Sequence, residues 1–382
     1  MTARSLAAGL CLVAAVATAC GGGGDDETST ADTTTTTSST STTTTTTTTA
    51  APTTTEAPPP PTPAPAAPKP ARPAAAEAAP EAPASRPPNS RPGSVGGCQL
   101  FPRNSYWYAD VSTLPVHGNS DGYVARIGAN AEVHPDFLSG LWEGGPIGMP
   151  YAVVGADQPL VPISFHYENE SDPGPYPLPP DVPIEEGAHS NGDRHILLVQ
   201  EGTCLLHEVF DARPDGSGGW TGGSGAVWDL NSTGMRPKGW TSADAAGMPI
   251  LPGLVRYEEV AAGNIPHAIR MTVPNTQSAY VWPASHIAGS GGDPDLPPMG
   301  TWFRLRADFD ISGFPPQAQV VLHALKTHGA IVADNGPAWM LAGAPDERWD
   351  NGALLSLHQV PGSAFEAVDT SSIANPGSLA VR

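Results

Sequence analysis

A carboxylate placed among apolar residues is the feature of this sequence best suited to acid–base chemistry. Glu208 lies in the run LLHEVFD, and alternation along a strand would put it on the same face as Leu206 and Phe210. Burying a carboxylate is costly unless it is paired, and burial raises its pKa, which suits a general acid. The run therefore indicates either a catalytic acid at Glu208 or a structural partner for an arginine.

Two aspartates stand beside tryptophans. Asp229 follows Trp228 directly, and Asp244 lies among small residues in the segment GWTSADAAG, which also contains Trp240. Aromatic rings stack on the apolar faces of sugars, while carboxylates accept hydrogen bonds from sugar hydroxyls. The pattern predicts a neutral-glycan cleft in which Glu208, Asp229 and Asp244 act as acid/base or nucleophile and both tryptophans bind the sugar. An aspartate-capped turn over a tryptophan core is the alternative for Asp244.

Three histidines are candidates for a general base. His195 ends the run NGDRH at the start of an apolar strand. The alternative to a catalytic base is a structural histidine that hydrogen-bonds to a nearby carbonyl. His267 and His286 belong to the segments HAIR and YVWPASH, which we interpret as successive strands of one hairpin. Such a hairpin would bring both histidines together with Asp244 as an acid/base or metal set. No HExxH, CxxC or His-x-His spacing supports zinc, so no metal ligand is predicted.

Two arginines beside these histidines suggest a second chemistry, that of a polysaccharide lyase. Arg194 or Arg270 would neutralise a uronate while a histidine removes the proton, and Trp282 in the segment YVWPASH would add a binding surface. The net charge of -20, from 18 Lys and Arg against 38 Asp and Glu, counts against this alternative. The same charge excludes nucleic acid as a partner and favours neutral substrates.

No cofactor is predicted, with structural calcium as the alternative. The acidic turns that suggest calcium contain Asp293 and Asp295, or lie within residues 168–172. Solvated turn acids explain both. Residues 168–187 form a long proline-rich loop, and loops of that length usually cover or build a site.

The cysteines indicate the compartment. Cys11 falls inside an apolar N-terminal run and Cys20 ends it, so Cys98 and Cys204 remain as an even pair. In an oxidising compartment such a pair predicts a disulfide. A catalytic thiol at Cys204 is the alternative.

The N-terminus has the pattern of a secretion signal. The stretch MTARSLAAGLCLVAAVATAC combines Arg4, an apolar run too short to span a bilayer, and small residues before Cys20. It resembles the signal peptides of bacterial lipoproteins, although Ala17 stands where that motif more often has leucine. The resemblance implies lipidation of Cys20 and a membrane-anchored, extracytoplasmic protein at the cell surface. An ordinary cleaved signal is the alternative.

The elements that must position these residues begin after a long spacer. Residues 21–97 are rich in Thr, Ser, Pro and Ala and predict a disordered tether, since all nine Trp, eight Tyr and eight Phe follow residue 98. Residues 98–375 predict one globular domain, with residues 376–382 as a tail. This domain resembles secreted bacterial proteins of unassigned activity, a likeness that assigns no functional residue.

The domain is predicted to be mostly β, a β-sandwich or jelly roll with one or two edge helices. Helices are predicted at residues 315–328 and 351–360, and strands at residues 151–154, 195–200, 204–210, 226–230, 267–273, 280–283 and 302–311. A neutral-glycan hydrolase is the leading hypothesis. A lyase, or a non-catalytic glycan-binding or adhesion module, is the alternative.

Overall fold

The computed structural model describes residues 92–382. The predicted signal peptide, the lipidation site Cys20 and nearly all of the predicted tether lie outside this range. Among the described residues, no helix is both long and apolar enough to cross a membrane.

The described chain is rich in short strands and has few helices, as predicted. The helices are α1 (Ser120–Ile127), α2 (Tyr257–Ala261), α3 (Pro316–Thr327) and α4 (Asn351–Leu355). The strands are β1 (Ser94–Val95), β2 (Cys98–Gln99), β3 (His134–Asp136), β4 (Leu141–Trp142), β5 (Gly145–Pro146), β6 (Tyr151–Val154), β7 (Ile163–Phe165), β8 (Ile196–Gln200), β9 (Leu205–Phe210), β10 (Arg213–Pro214), β11 (Trp220–Gly222), β12 (Ser224–Asp229), β13 (Ile269–Val273), β14 (Trp302–Leu305), β15 (Ala330–Asn335), β16 (Met340–Ala342) and β17 (Phe365–Ala367).

Two larger sheets carry most of the residues discussed below. One has four strands in the order β12-β9-β8-β6, and the other has six in the order β17-β14-β15-β13-β16-β3. Both mix parallel and antiparallel pairs: β6 is parallel to β8, and β13 is parallel to β15 but antiparallel to β16. A three-stranded sheet, β10-β11-β7, and the hairpins β1-β2 and β4-β5 complete the set.

Strand β8 shows why its sequence is continuously apolar. Leu197 and Val199 belong to the main core, whereas Ile196 and Leu198 belong to a second core with Tyr176. Side chains alternate between the two faces of a strand, so a strand covered on both faces needs apolar residues at every position. The four-stranded sheet is therefore buried on both sides.

Strand β13 alternates between the core and a polar face. Ile269, Met271 and Val273 lie in the main core, while Arg270 and Thr272 make side-chain hydrogen bonds on the other face. Strand alternation therefore delivers a buried arginine to the polar face of the six-stranded sheet.

Helix α3 confirms the clearest helix prediction. Its buried residues, among them Val321 and Leu325, form one apolar face against the main core. The helix ends before Gly329, whose φ of 70° lies in the left-handed region. A Cβ at this position would also lie only 2.4 Å from the carbonyl oxygen of Phe303, so glycine is required on both counts.

Most predicted strands are confirmed, but the predicted hairpin is wrong. Strand β13 pairs with β15 and β16, and the segment holding His286 forms no strand. Tyr280 instead makes an isolated bridge to Met299 before the chain turns. The last predicted strand also stops at Leu305, because a turn begins there.

The predicted disulfide between Cys98 and Cys204 is confirmed, and it links β2 to the start of β9 across 106 residues of sequence. Packed residues extend beyond the predicted range of 98–375. Val95 is fully buried, and Leu379 belongs to the main core.

Candidate functional site

The polar face of the six-stranded sheet holds a buried ion pair. Arg270 of β13 donates from Nε to Oδ2 of Asp244 and from Nη2 to Oδ1, both at 2.9 Å. Both side chains are at most 2% exposed. Such two-point contacts are strong and geometrically specific, and each charge offsets the cost of burying the other.

The loop that carries Asp244 is tied to both large sheets. Ser224 of β12 donates its hydroxyl to the carbonyl of Ser242 at 2.6 Å, and the amide of Ala246 donates to Ala333 of β15 at 2.9 Å. Ser242 also caps the loop, since its Oγ accepts the Asp244 amide at 2.9 Å. The segment is thus a tight turn, but Ser242 caps it and not the predicted Asp244, whose carboxylate pairs with Arg270. The turn connects the two sheets.

His195 forms a second buried ion pair next to the first. Its Nδ1 lies 2.6 Å from Oε2 of Glu185, and its Nε2 lies 3.0 Å from the carbonyl oxygen of Ala243, the neighbour of Asp244. Burial alone would lower the pKa of His195, but attraction to Glu185 outweighs burial and raises it to about 9. His195 is therefore a doubly bonded cation near neutral pH, with both ring N–H groups engaged.

Two further carboxylates flank Arg270 on the same face. Asp334 of β15 has its Oδ2 atom 3.4 Å from Nη2 of Arg270. Asp136 of β3 pairs in register with Ala342 of β16, and continuing the β13–β16 register by one residue places Ala342 opposite Arg270. Ala342 therefore lies between Arg270 and Asp136 across the sheet.

Both flanking carboxyl groups hold their protons unusually tightly. Burial raises the pKa of Asp334 to about 7, with Asp244 and Asp193 adding to the rise and Arg270 opposing it. Burial likewise raises the pKa of Asp136 to about 6, helped by Glu185 and again opposed by Arg270. The Asp334 side chain is 26% exposed and Asp136 is half-buried, so both groups reach solvent. Carboxyl groups with raised pKa values and access to solvent are typical of acid–base sites.

Glu208, the leading acid predicted from sequence, is placed deep inside the main core. Its carboxylate accepts the amide N–H groups of Ile250 and Leu251, each at 2.9 Å, and the indole N–H of Trp228 at 3.1 Å. Burial raises its pKa to about 7, but the residue is 0% exposed. Glu208 has no contact with solvent and Trp228 is only 4% exposed, and together they connect strands β9 and β12 to the turn at Ile250.

Asp229 and His267 are also placed away from the Arg270 cluster. Asp229 is exposed and caps a turn by accepting the amide of Asn231 at 2.9 Å. His267 is buried, with Nε2 3.0 Å from Oε2 of Glu259, which also pairs with Arg256. His267 and His286 share no partner, since the hairpin that would join them is absent.

Two predicted residues border the Asp244 loop. His286 lies 2.8 Å through Nδ1 from the carbonyl oxygen of Ala245, and its Nε2 lies 3.7 Å from Glu170. Trp240 is half-buried, with the guanidinium of Arg236 5.5 Å from its ring centre. Both residues therefore border the loop that positions Asp244.

Arg194 and Trp282 serve other parts of the fold. Arg194 is buried and donates to the carbonyl oxygens of Ala212, Ala188 and Ser190, so it holds the loop after Glu185 in place. Trp282 donates its indole N–H to the carbonyl oxygen of Ser378 at 2.9 Å. Its ring lines a separate cavity of about 210 Å³ together with Trp302 and Tyr123.

The acidic turns considered for calcium are paired with cations or cap turns. Asp293 forms an ion pair with Arg126 and accepts the amide of Asp295 at 3.0 Å, and Asp172 pairs with Arg236. Across residues 92–382, no group of three or more His, Cys, Asp or Glu side chains is arranged to hold a metal ion.

The sequence-based predictions missed Asp136 and Glu185, and they did not include Asp334 among the site residues. Asp136 had a usable signal, because Val133, Pro135 and Phe137 alternate with it and are buried. Glu185 lies in the proline-rich loop already singled out by its length, and that loop supplies the partner of His195.

Comparisons with known proteins assign no family to this arrangement. The chain matches no protein-family model, no curated protein and no solved structure.

Proposed function

We propose that the domain hydrolyses neutral glycans, with Asp334 as general acid and Asp136 as the second carboxylate. The observation that carries this proposal is the pair of part-exposed carboxyl groups with raised pKa values on either side of the buried Arg270. Glycoside hydrolysis uses two carboxyl groups whose environments give them different protonation states. Asp334, with the higher pKa, suits the proton donor.

The two groups would divide the reaction between them. The Asp334 carboxyl donates its proton to the glycosidic oxygen as the bond to the sugar breaks. The Asp136 carboxylate would activate the attacking water, because strands β13 and β16 lie between β15 and β3 and hold the two carboxyl groups farther apart than the about 5 Å that direct attack on the sugar requires. Arg270 and Asp244 act as positioning residues, because their ion pair fixes the charge beside Asp334.

A neutral substrate fits the charge of the site. Glu186 acts electrostatically on Asp136, and Asp193 acts on Asp334, so the site is acidic and repels anionic polymers. The lyase alternative has less support, because the buried Arg270 is engaged by two carboxylates and would have to leave them to neutralise a uronate. His195 is equally engaged on both ring nitrogens.

The location of the protein is proposed from its sequence. Lipidation of Cys20 would anchor the chain to the membrane on its extracytoplasmic side, and residues 21–91 would carry the domain outward. The disulfide between Cys98 and Cys204 fits an oxidising compartment.

The architecture is proposed to be of the β-sandwich type. The main core combines residues of the four-stranded sheet, such as Val199 and Leu206, with Met271 and Phe303 of the six-stranded sheet. Two sheets that share one core form two layers. The parallel pairs β13–β15 and β6–β8 distinguish these sheets from the all-antiparallel sheets of a jelly roll.

The test is hydrolysis of neutral polysaccharides by the full-length protein, followed through new reducing ends and unsaturated products. We expect reducing ends without unsaturation, and loss of turnover in Asp334→Asn and Asp136→Asn but not in Asp229→Asn, a change in an exposed turn. Unsaturated ends would support the lyase. Retention on a glycan without turnover would support a binding module.

A further inference from the structure

Two apolar side chains project from the hairpin β4-β5. Leu141 is 69% exposed and Trp142 is 66% exposed, more than any other large hydrophobic residue of the described chain. Single exposed apolar residues are ordinary on protein surfaces, but consecutive residues of a strand point to opposite faces, so Leu141 and Trp142 make both faces of this projecting hairpin apolar. The indole of Trp142 is available to a ligand.

The hairpin is held firmly at its base. Asn351 at the start of α4 exchanges two hydrogen bonds with the backbone of Ser139, both at 2.9 Å. The amide of Leu138 donates to the carbonyl of Ile147 at 3.2 Å and closes the two arms. The exposed tip therefore extends from a base that is fixed on the fold.

The face of the hairpin that carries Trp142 also rests against the proline-rich loop, because Trp142 is paired with Gly145 and directly paired residues share a face. A Cβ added to Gly145 would lie 1.9 Å from the carbonyl oxygen of Glu186, so the two backbones are in direct contact. Only glycine permits an approach this close. Gly145 thus allows the hairpin to pack closely against the loop that also contains Glu185, the partner of His195.

The same contacts connect the hairpin to the flanking carboxylates. Strand β3 ends at Asp136, and the chain enters the base of the hairpin at Leu138 two residues later. Glu186, whose backbone contacts Gly145, also acts electrostatically on Asp136. The apolar tip and the acidic face therefore belong to one continuous surface.

The chemistry of this surface selects a neutral, hydroxylated ligand. An indole presents a flat ring that packs against the C–H face of a sugar, and the nearby carboxylates accept hydrogen bonds from hydroxyl groups. Glu186 is exposed and its backbone contacts Gly145, so it brings negative charge beside the tip, which repels anionic lipid and uronate polymers.

We propose that Trp142 forms the substrate platform of the site, on which a neutral polysaccharide chain packs beside Asp136. The proposal rests on the proposed glycan hydrolase for its ligand class. Trp142 supplies the ring surface, and Gly145, its partner across the hairpin, sets its position. The platform contributes to binding the chain and takes no part in bond breaking.

The test compares Trp142→Ala and the ring-retaining Trp142→Phe in the full-length protein. The matched control is Leu160→Ala, since Leu160 is also apolar and 58% exposed but lies outside the hairpin. Binding to soluble neutral polysaccharides such as glucomannan, xyloglucan and arabinogalactan is measured by affinity electrophoresis, and KM and kcat are measured wherever hydrolysis occurs. We expect Trp142→Ala to weaken binding or raise KM about tenfold with kcat unchanged, corresponding to the loss of one aromatic contact. Trp142→Phe should restore most of the binding.

The outcomes separate this proposal from the proposed function. If Asp334→Asn abolishes turnover while Trp142→Ala leaves KM and mobility unchanged, the platform is wrong and the hydrolase stands. If no polysaccharide is hydrolysed but retardation is lost in Trp142→Ala alone, the platform stands and the hydrolase is wrong. No retardation of the unaltered protein by any of the three polysaccharides would overturn the platform directly.

Discussion

The Oδ2 atom of Asp334 lies 3.4 Å from Nη2 of Arg270. That guanidinium is already paired with Asp244 through two bonds of 2.9 Å, so Asp334 receives only part of its positive charge. Burial and the negative charge of Asp244 prevail over this attraction, and the pKa of Asp334 rises to about 7. The ion pair therefore leaves Asp334 protonated at a pH where an ordinary aspartate has lost its proton.

The first prediction concerns the pH dependence of turnover. Asp136 must be ionised and Asp334 protonated in the active form, so activity should rise through a pKa of about 6 and fall through one of about 7. Asp334→Asn should lower kcat about 100- to 10,000-fold, as expected for loss of a general acid. Initial rates across the pH range, measured for both proteins, test this. A profile that is flat between pH 5 and 8 would exclude these two carboxyl groups as the acid–base pair.

The second prediction concerns the buried ion pair. Asp244→Asn should cost about 3 to 5 kcal/mol of unfolding free energy, because it leaves the buried Arg270 short of its main counter-charge. Denaturant unfolding measures the loss. Asp229→Asn, in an exposed turn, is the control and should change stability by less than about 0.5 kcal/mol. Equal effects of the two substitutions would contradict the structural role given to Asp244.

Local patterns in the sequence predict much of the fold. The apolar run of β8 and the amphipathic face of α3 identify their elements, because burial on two faces or on one imposes a recognisable spacing. The even cysteine pair likewise predicts the bond between Cys98 and Cys204. These inferences succeed because each depends on neighbours along the chain.

The arrangement of the site depends on long-range pairing, which local patterns do not contain. Asp136 and Arg270 come together only because β16 joins β3 to β13. Glu208 shows the same limit in another way. Alternation along its strand correctly predicts its apolar face, but it does not reveal whether distant backbone amides will donate hydrogen bonds to the carboxylate. Here the amides of Ile250 and Leu251 do so, and the carboxylate is sealed inside.

The third prediction concerns the disulfide. Cys98→Ser together with Cys204→Ser should lower the unfolding free energy by about 4 to 5 kcal/mol, because the bond closes a loop of 106 residues in the unfolded chain. Denaturant unfolding with and without reductant should show the same loss for the unaltered protein. A reductant effect that persists in the double variant would point to another cause.

The fourth prediction concerns acid stability and His207. This side chain is 6% exposed in the second core, its ring lies 5.2 Å from that of Tyr176, and neither ring nitrogen has a hydrogen-bond partner among the described residues. Burial lowers its pKa to about 4. In the unfolded chain this imidazole binds a proton below about pH 6.5, whereas in the folded protein it stays neutral down to about pH 4. The free energy of unfolding should therefore fall by about 3 kcal/mol between pH 6.5 and 4. His207→Leu should remove this component from unfolding curves measured across that range.

The fifth prediction concerns His195, which should respond to pH in the opposite direction. Its folded pKa of about 9 lies above the value of about 6.5 in an unfolded chain, because the charged ring is held by Glu185. Between these two pH values His195 keeps its proton in the folded protein and loses it in the unfolded chain. The resulting stabilisation is complete below about pH 6.5 and is lost as pH rises through about 9. Its size is about 3 kcal/mol.

Glu185→Gln provides the matched variant for this prediction. It keeps a hydrogen-bonding side chain beside Nδ1 but removes the negative charge, so the pKa of His195 should fall and the alkaline loss of stability should shrink. His207 lies in the second core and should titrate unchanged in this variant. Unfolding curves from pH 6 to 10 measure the alkaline arm, and the ring-proton resonances of the two histidines follow each titration separately. If unfolding free energy falls as steeply with rising pH in Glu185→Gln as in the unaltered protein, a group other than the His195–Glu185 pair is responsible for the alkaline loss of stability.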